Sequence, residues 1–128
     1  MKKARTHRDL DVYRRAMDVA MRVFEVTRAF PKEETYSLTN QVRRSSRSVC
    51  ANLAEAWRKR RYELVFVSKL SDSEAEAAET QFRIEFAVKC GYLPKEEGTI
   101  LYKECDAVIA TLVGMMTHPK TWILEKRR

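Results

Sequence analysis

Glycine and proline are scarce in this chain of 128 residues, three of each. That is too few for a turn-rich β-sandwich or barrel, and the long stretches between them favour helices throughout. Histidine is scarcer still. His7 and His118 both fall outside the expected core helices. This argues against inward Glu-x-x-His pairs for a di-metal centre, a zinc site and a histidine base beside Cys50 or a serine. Gly91, Gly98 and Gly114 cannot make a glycine-rich phosphate loop. Cys50, Cys90 and Cys105 are odd in number and widely spaced, with no Cys-x-x-Cys pair, which predicts reduced core thiols in a cytosolic protein. No apolar run approaches the roughly 18 residues of a membrane span. The basic start, residues 1–8, leads into a charged amphipathic segment with no apolar core of a secretory leader behind it. These absences predict a cytoplasmic protein that is not an enzyme and uses no cofactor or metal.

What is present is 45% hydrophobic and 34% charged residues, a globular balance. The length suits a single domain over residues 1–128, with a short basic segment at 1–8 and a tail at 119–128. Four helices are expected. The first, at 9–29, carries Leu10, Tyr13, Met17, Ala20, Phe24 and Thr27 at alternating spacings of three and four, the seam of a bundle. A second stripe runs beside it: Val12, Ala16, Val19, Val23, Val26 and Phe30. Two seams imply a wide buried face or a subunit contact.

The second helix starts between residues 34 and 37 and reaches 57, with Leu38, Val42, Ser45, Val49, Asn52, Leu53 and Ala56 inward. The third spans 62–90 on Phe66, Leu70, Ser73, Ala77, Thr80, Ile84 and Ala87, and Gly91 is its C-cap. Pro94 opens the fourth, with Ile100 or Leu101, Cys105, Val108, Leu112 and Met115 inward, and His118-Pro119 ends it. Short connections between such helices give an all-α, up-down-up-down antiparallel four-helix bundle. In the tail, Trp122-Ile123-Leu124 offers apolar side chains to a neighbour, and Lys126-Arg127-Arg128 is basic.

The net charge is +7, and it is concentrated. Between residues 41 and 61, Arg43, Arg44, Arg47, Arg58, Lys59, Arg60 and Arg61 face one acid, Glu55. On the helix, Arg44, Arg47, Ala51, Ala54, Arg58 and Arg61 lie opposite the apolar side. Arg58-Lys59-Arg60-Arg61 forms either the last helical turn or a tight basic corner. Such a surface suits a polyanion, and it also suits a helix that is simply solvated. Ser45, Ser48, Asn52 and Glu55 border the apolar side and read as a structural polar network, with ligand contact as the other reading. Glu74, Glu76 and Glu79 read as a solvated face or as counter-ions to the arginines, against a metal or general-acid cluster.

The run Gln41-Val42-Arg43-Arg44, continuing through Ser48-Val49-Cys50-Ala51-Asn52-Leu53-Ala54-Glu55-Ala56, resembles the family of 23S rRNA-intervening-sequence proteins. Asp9-Leu10-Asp11-Val12-Tyr13, Phe30-Pro31, Tyr36-Ser37-Leu38 and Gly91-Tyr92-Leu93 support the resemblance, which covers nearly residues 9–118. Cys50 stands where that pattern has proline, Ala56 where it has glycine, and Asp72 where it has a Gly-Ser step. The first two substitutions are expected to lengthen or straighten the second helix.

The resemblance implies a bacterial cytosolic bundle that assembles as a ring, a homopentamer, without a set biochemical activity. By architecture and charge it is also similar to the accessory protein of diversity-generating retroelements, a basic pentamer that binds nucleic acid and partners a reverse transcriptase. Two functions follow as expectations. One is an oligomer that binds nucleic acid, structured RNA above all, through the basic face, with Trp57 and Tyr62 either stacking on bases or packing at a subunit seam. The other is a structural or adaptor ring that binds a protein partner, its arginines satisfied by acids of the third helix in the same or a neighbouring subunit.

Overall fold

The computed structural model describes residues 3–124. The basic run Lys126-Arg127-Arg128 lies outside the described residues. Four helices dominate: α1 (Asp11–Thr27), α2 (Asn40–Arg58), α3 (Glu63–Lys89) and α4 (Lys95–Thr117). Among the described residues there is no strand.

Local chemistry sets the boundaries. α1 begins two residues later than its acids suggest because Asp9 is used in a preceding 3-10 turn, His7–Asp9. Thr6 Oγ1 accepts from the Arg8 amide at 3.3 Å, and Asp9 Oδ2 accepts from the amides of Arg5 at 2.8 Å and Thr6 at 3.1 Å. Those amides hold the Asp9 carboxyl below its ordinary pKa.

After α1 the chain winds through a 3-10 turn at Lys32–Glu34 and a π-helical turn at Thr35–Thr39 before α2. The backbone is therefore helical where the sequence places the start of the second helix, but wound at another pitch. α2 continues through Cys50 and Ala56 without a break. Gly91, with φ of 77°, turns the chain out of α3, and Pro94 caps α4.

Contacts across the bundle fix the direction of each helix. Arg43 near the start of α2 bonds to Thr27 at the end of α1, while Leu53, Ala56 and Trp57 share a cluster with Val12 and Ala16. Ser73 reaches Val49 and Thr80 reaches Ser45, so α3 runs against α2. Ile84 and Ala87 cluster with Leu101 and Cys105, and Phe66 and Leu70 with Leu112 and Met115, so α4 runs against α3. Each helix packs on its chain neighbours, and α4 closes the square against α1. At the centre, Ala16, Val19, Ser46, Val49, Ala77, Thr80, Cys105 and Val108 leave a cavity of only about 10 Å³. That is at the lower limit for one water molecule.

Three expectations need correction. On α1 the buried set is Val12, Ala16, Val19, Ala20, Val23 and Thr27. The second stripe is thus the core, joined by two residues of the first, while Met17 is exposed and Tyr13 and Phe24 are half-buried. Both stripes have helical spacing, and periodicity alone cannot rank them; the β-branched stripe won because α2 and α4 meet on it. Of the cysteines, only Cys50 and Cys105 are buried; Cys90 is exposed at the end of α3. Burial lifts the Cys50 thiol to a pKa of about 11 and, aided by the charges of Asp106 and Glu104, that of Cys105 to about 12. Finally, Trp122 and Ile123 pack on the chain's own core, and the Leu124 amide donates to the Arg60 carbonyl at 3.0 Å.

Candidate nucleic-acid interface

α2 buries Val42, Ser45, Ser46, Val49, Cys50, Leu53, Ala56 and Trp57 on one side. Arg44, Arg47 and Arg58 are exposed on the other, at positions that a 3.6-residue repeat places in one row. Lys59 and Arg61 continue this surface around the corner before α3, where the Tyr62 amide donates to the Lys59 carbonyl at 3.0 Å. Arg58 is thus the last residue of the helix, and the three cations after it form the corner. From Arg44 to Arg58 the row extends about 21 Å along the helix. Among the described residues, none of these five cations has a carboxylate within salt-bridge distance. Glu76, half-buried on α3, feels the charge of Arg44 without pairing with it; its pKa is raised by burial and by Glu79.

The other two cations are held by the fold. Arg43 Nε donates to Thr27 Oγ1 at 2.7 Å, and its guanidinium lies 4.9 Å from the centre of the Phe24 ring. Thr27 Oγ1 in turn donates to the Val23 carbonyl at 2.7 Å, so Arg43 clamps the end of α1 to the start of α2. Arg60 Nε donates to the Trp57 carbonyl at 2.8 Å, and its guanidinium sits 3.5 Å from the centre of the Trp57 ring. Burial first, then the charge of Arg58, lowers its pKa. Trp57 itself is only 5% exposed, within the core of its own subunit. It is neither at a seam nor free to stack on a base, whereas Tyr62 is exposed at the corner.

The four residues read as one polar network divide into three arrangements. Asn52 Nδ2 donates to Ser48, to the carbonyl at 3.0 Å and to Oγ at 3.2 Å. Glu55 pairs with Lys69 of α3 at 2.8 Å, and that bond raises the lysine pKa. Ser45, fully buried, accepts from Thr80 Oγ1 at 2.9 Å, with Ser73 Oγ donating to the Val49 carbonyl at 2.8 Å one level away. The buried polar seam thus joins α2 to α3 through Ser73 and Thr80. Their place in the inward register of α3 was the available signal, since a buried hydroxyl needs a partner. Of the α3 acids, Glu79 accepts from Arg83 of its own helix at 3.3 Å. Among the described residues no group of acids, cysteines and histidines is arranged to hold a metal.

The model of the 23S rRNA-intervening sequence protein family matches residues 8–114. The chain belongs to that family. Among solved structures, a protein of unknown function from the S23 ribosomal protein family of Bacteroides thetaiotaomicron is similar to it. The two superpose with a TM-score of 0.75 at 21% identity, over 83% of this chain and 95% of the other. At that identity the likeness shows a shared fold. No curated protein matches the chain significantly. No helix of the described residues is long and apolar enough to cross a membrane, and neither the family nor the structural neighbour points to catalysis.

Proposed function

We propose that this family member is a non-catalytic, homo-oligomeric protein of the bacterial cytoplasm that binds structured RNA. The contact is the outer row of α2 together with the Lys59–Arg61 corner. One observation carries the reading: Arg44, Arg47, Arg58, Lys59 and Arg61 are exposed along one side of α2 and its corner, without a carboxylate partner among the described residues. Uncompensated charge in a row of about 21 Å attracts a polyanion regardless of its sequence. Backbone contact dominates, and Tyr62 is the residue placed to stack on an unpaired base. A ring of subunits, a pentamer by family resemblance, multiplies a weak face through effective concentration.

The test is fluorescence anisotropy with a generic RNA hairpin. Five neutralised phosphates predict that affinity falls roughly 500-fold between about 50 and about 200 mM salt. Arg44→Glu with Arg47→Glu should abolish binding while the circular dichroism stays helical, since both side chains face away from the core. Absence of binding at low salt would favour an adaptor ring for a protein partner. Unfolding or dissociation of the double variant would make these arginines structural.

A further inference from the structure

α3 carries a second seam that the bundle does not use. Leu64, Ser68, Ser71, Ala75, Ala78, Phe82 and Phe86 follow one another at spacings of four, three, four, three, four and four, and every one is exposed. They lie opposite the buried row of Phe66, Leu70, Ser73, Ala77, Thr80, Ile84 and Ala87. A surface helix of a monomer needs one apolar stripe, and a helix apolar on both sides is one that becomes buried on both. The seam extends about 33 Å. Its large side chains are at the ends: Leu64 is 83% exposed, Phe82 55% and Phe86 51%. Phe82 and Phe86 stack edge to face with ring centres 5.9 Å apart, forming one ridge, and the middle is small enough for another helix to approach closely.

We infer that this outer seam of α3 is the surface on which a second copy of this chain packs. Charge selects the occupant. α3 carries a net −3 in a chain of +7, so the remainder of the chain carries +10. Asp72, Glu79 and Glu85 border the seam and Lys89 stands at its end, a negative balance that disfavours a polyanion and favours a cationic partner.

The chain itself is such a partner. Two α3 seams facing each other would bring like charges together, so the contact is between different faces, the kind that closes into a ring. A matching face exists on α1, where Met17 and Met21 are exposed in line with Arg14 and Arg28. Those arginines pair at the surface with Asp11 and Glu25, at 3.0 and 3.7 Å, and such exposed pairs exchange easily; Arg14 also donates to the Asp9 carbonyl at 3.2 Å, and Arg28 lies 5.9 Å from the centre of the Phe24 ring. The surface serves the oligomer proposed above and is independent of what α2 binds.

Sedimentation equilibrium on the full chain tests this. The wild-type protein should be a multimer, and Phe82→Glu with Phe86→Glu should be a monomer of unchanged helicity. Leu64→Lys, at a position almost free of intramolecular contact, should weaken assembly as well. A monomeric wild type, or a double variant of wild-type mass, would overturn the assignment. Should the double variant unfold, hydroxyl-radical footprinting of the wild type decides: Phe82 and Phe86 protected in the multimer supports the seam, and both modified as free side chains refutes it. Hairpin binding by the monomeric variant with an unchanged salt slope separates this outcome from failure of the nucleic-acid reading.

Discussion

Arg43 and Arg47 sit one helical turn apart on α2, and only Arg47 belongs to the row that the helical repeat places opposite the apolar side. The structure separates them further. Arg43 is half-buried against Thr27 and Phe24, while Arg47 is exposed and unpaired among the described residues. Replacing Arg43 by Met should therefore cost about 1–2 kcal/mol of stability, read as a lower urea midpoint, through the lost hydrogen bond and ring contact. Its effect on RNA binding should be small. Arg47→Gln should show the converse: an unchanged urea midpoint and a salt slope reduced by about one. The thiols separate in the same way. Cys50 and Cys105 are buried, with pKa values of about 11 and about 12, whereas Cys90 is exposed. A maleimide at neutral pH should label one cysteine per native chain, at position 90, and all three only after denaturation.

At the scale of elements, the joint between α1 and α2 shows how far a sequence can be followed. Phe30-Pro31 marks the end of α1 correctly, because proline cannot continue a helix. The π-helical turn after it was not legible, and Glu34, which caps it, is also held from 58 positions away: Tyr92 donates to Glu34 Oε2 at 3.0 Å. Glu34 also accepts from Ser37 Oγ at 2.6 Å. Its hydroxyl donors, Ser37 first and then Tyr92, lower the Glu34 pKa, and the bond to Glu34 lifts the Tyr92 phenol to about 12.

A phenol whose folded pKa lies above its ordinary value of 10.0 contributes stability that is complete below that value. The contribution is lost as pH rises from there to about 12, when phenolate meets carboxylate. Absorbance at 295 nm should show a tyrosine titrating late, and Tyr92→Phe should remove it. Helix periods, breakers and caps could be read locally. The choice between the two stripes of α1 and the clamp of Arg43 on Phe24 could not, because each is decided by which helix lies alongside.

For the whole molecule, the two exposed surfaces make a joint prediction. The cationic row is on α2 and the apolar seam on α3, and neither shares a residue with the other. If copies join through α3, their α2 rows remain free, and one RNA that reaches two rows binds as a divalent ligand. Linking two such contacts commonly strengthens binding by about 10²–10⁴. Affinity should therefore rise steeply once the RNA exceeds the roughly 21 Å of a single row, with the salt slope close to doubling. In Phe82→Glu with Phe86→Glu the gain with length should vanish, leaving the short-hairpin affinity where it was. Anisotropy titrations over a ladder of duplex lengths, with both proteins at matched salt, would show it. A wild-type curve as flat as that of the dissociated variant would mean that the rows do not act together, even in an intact ring.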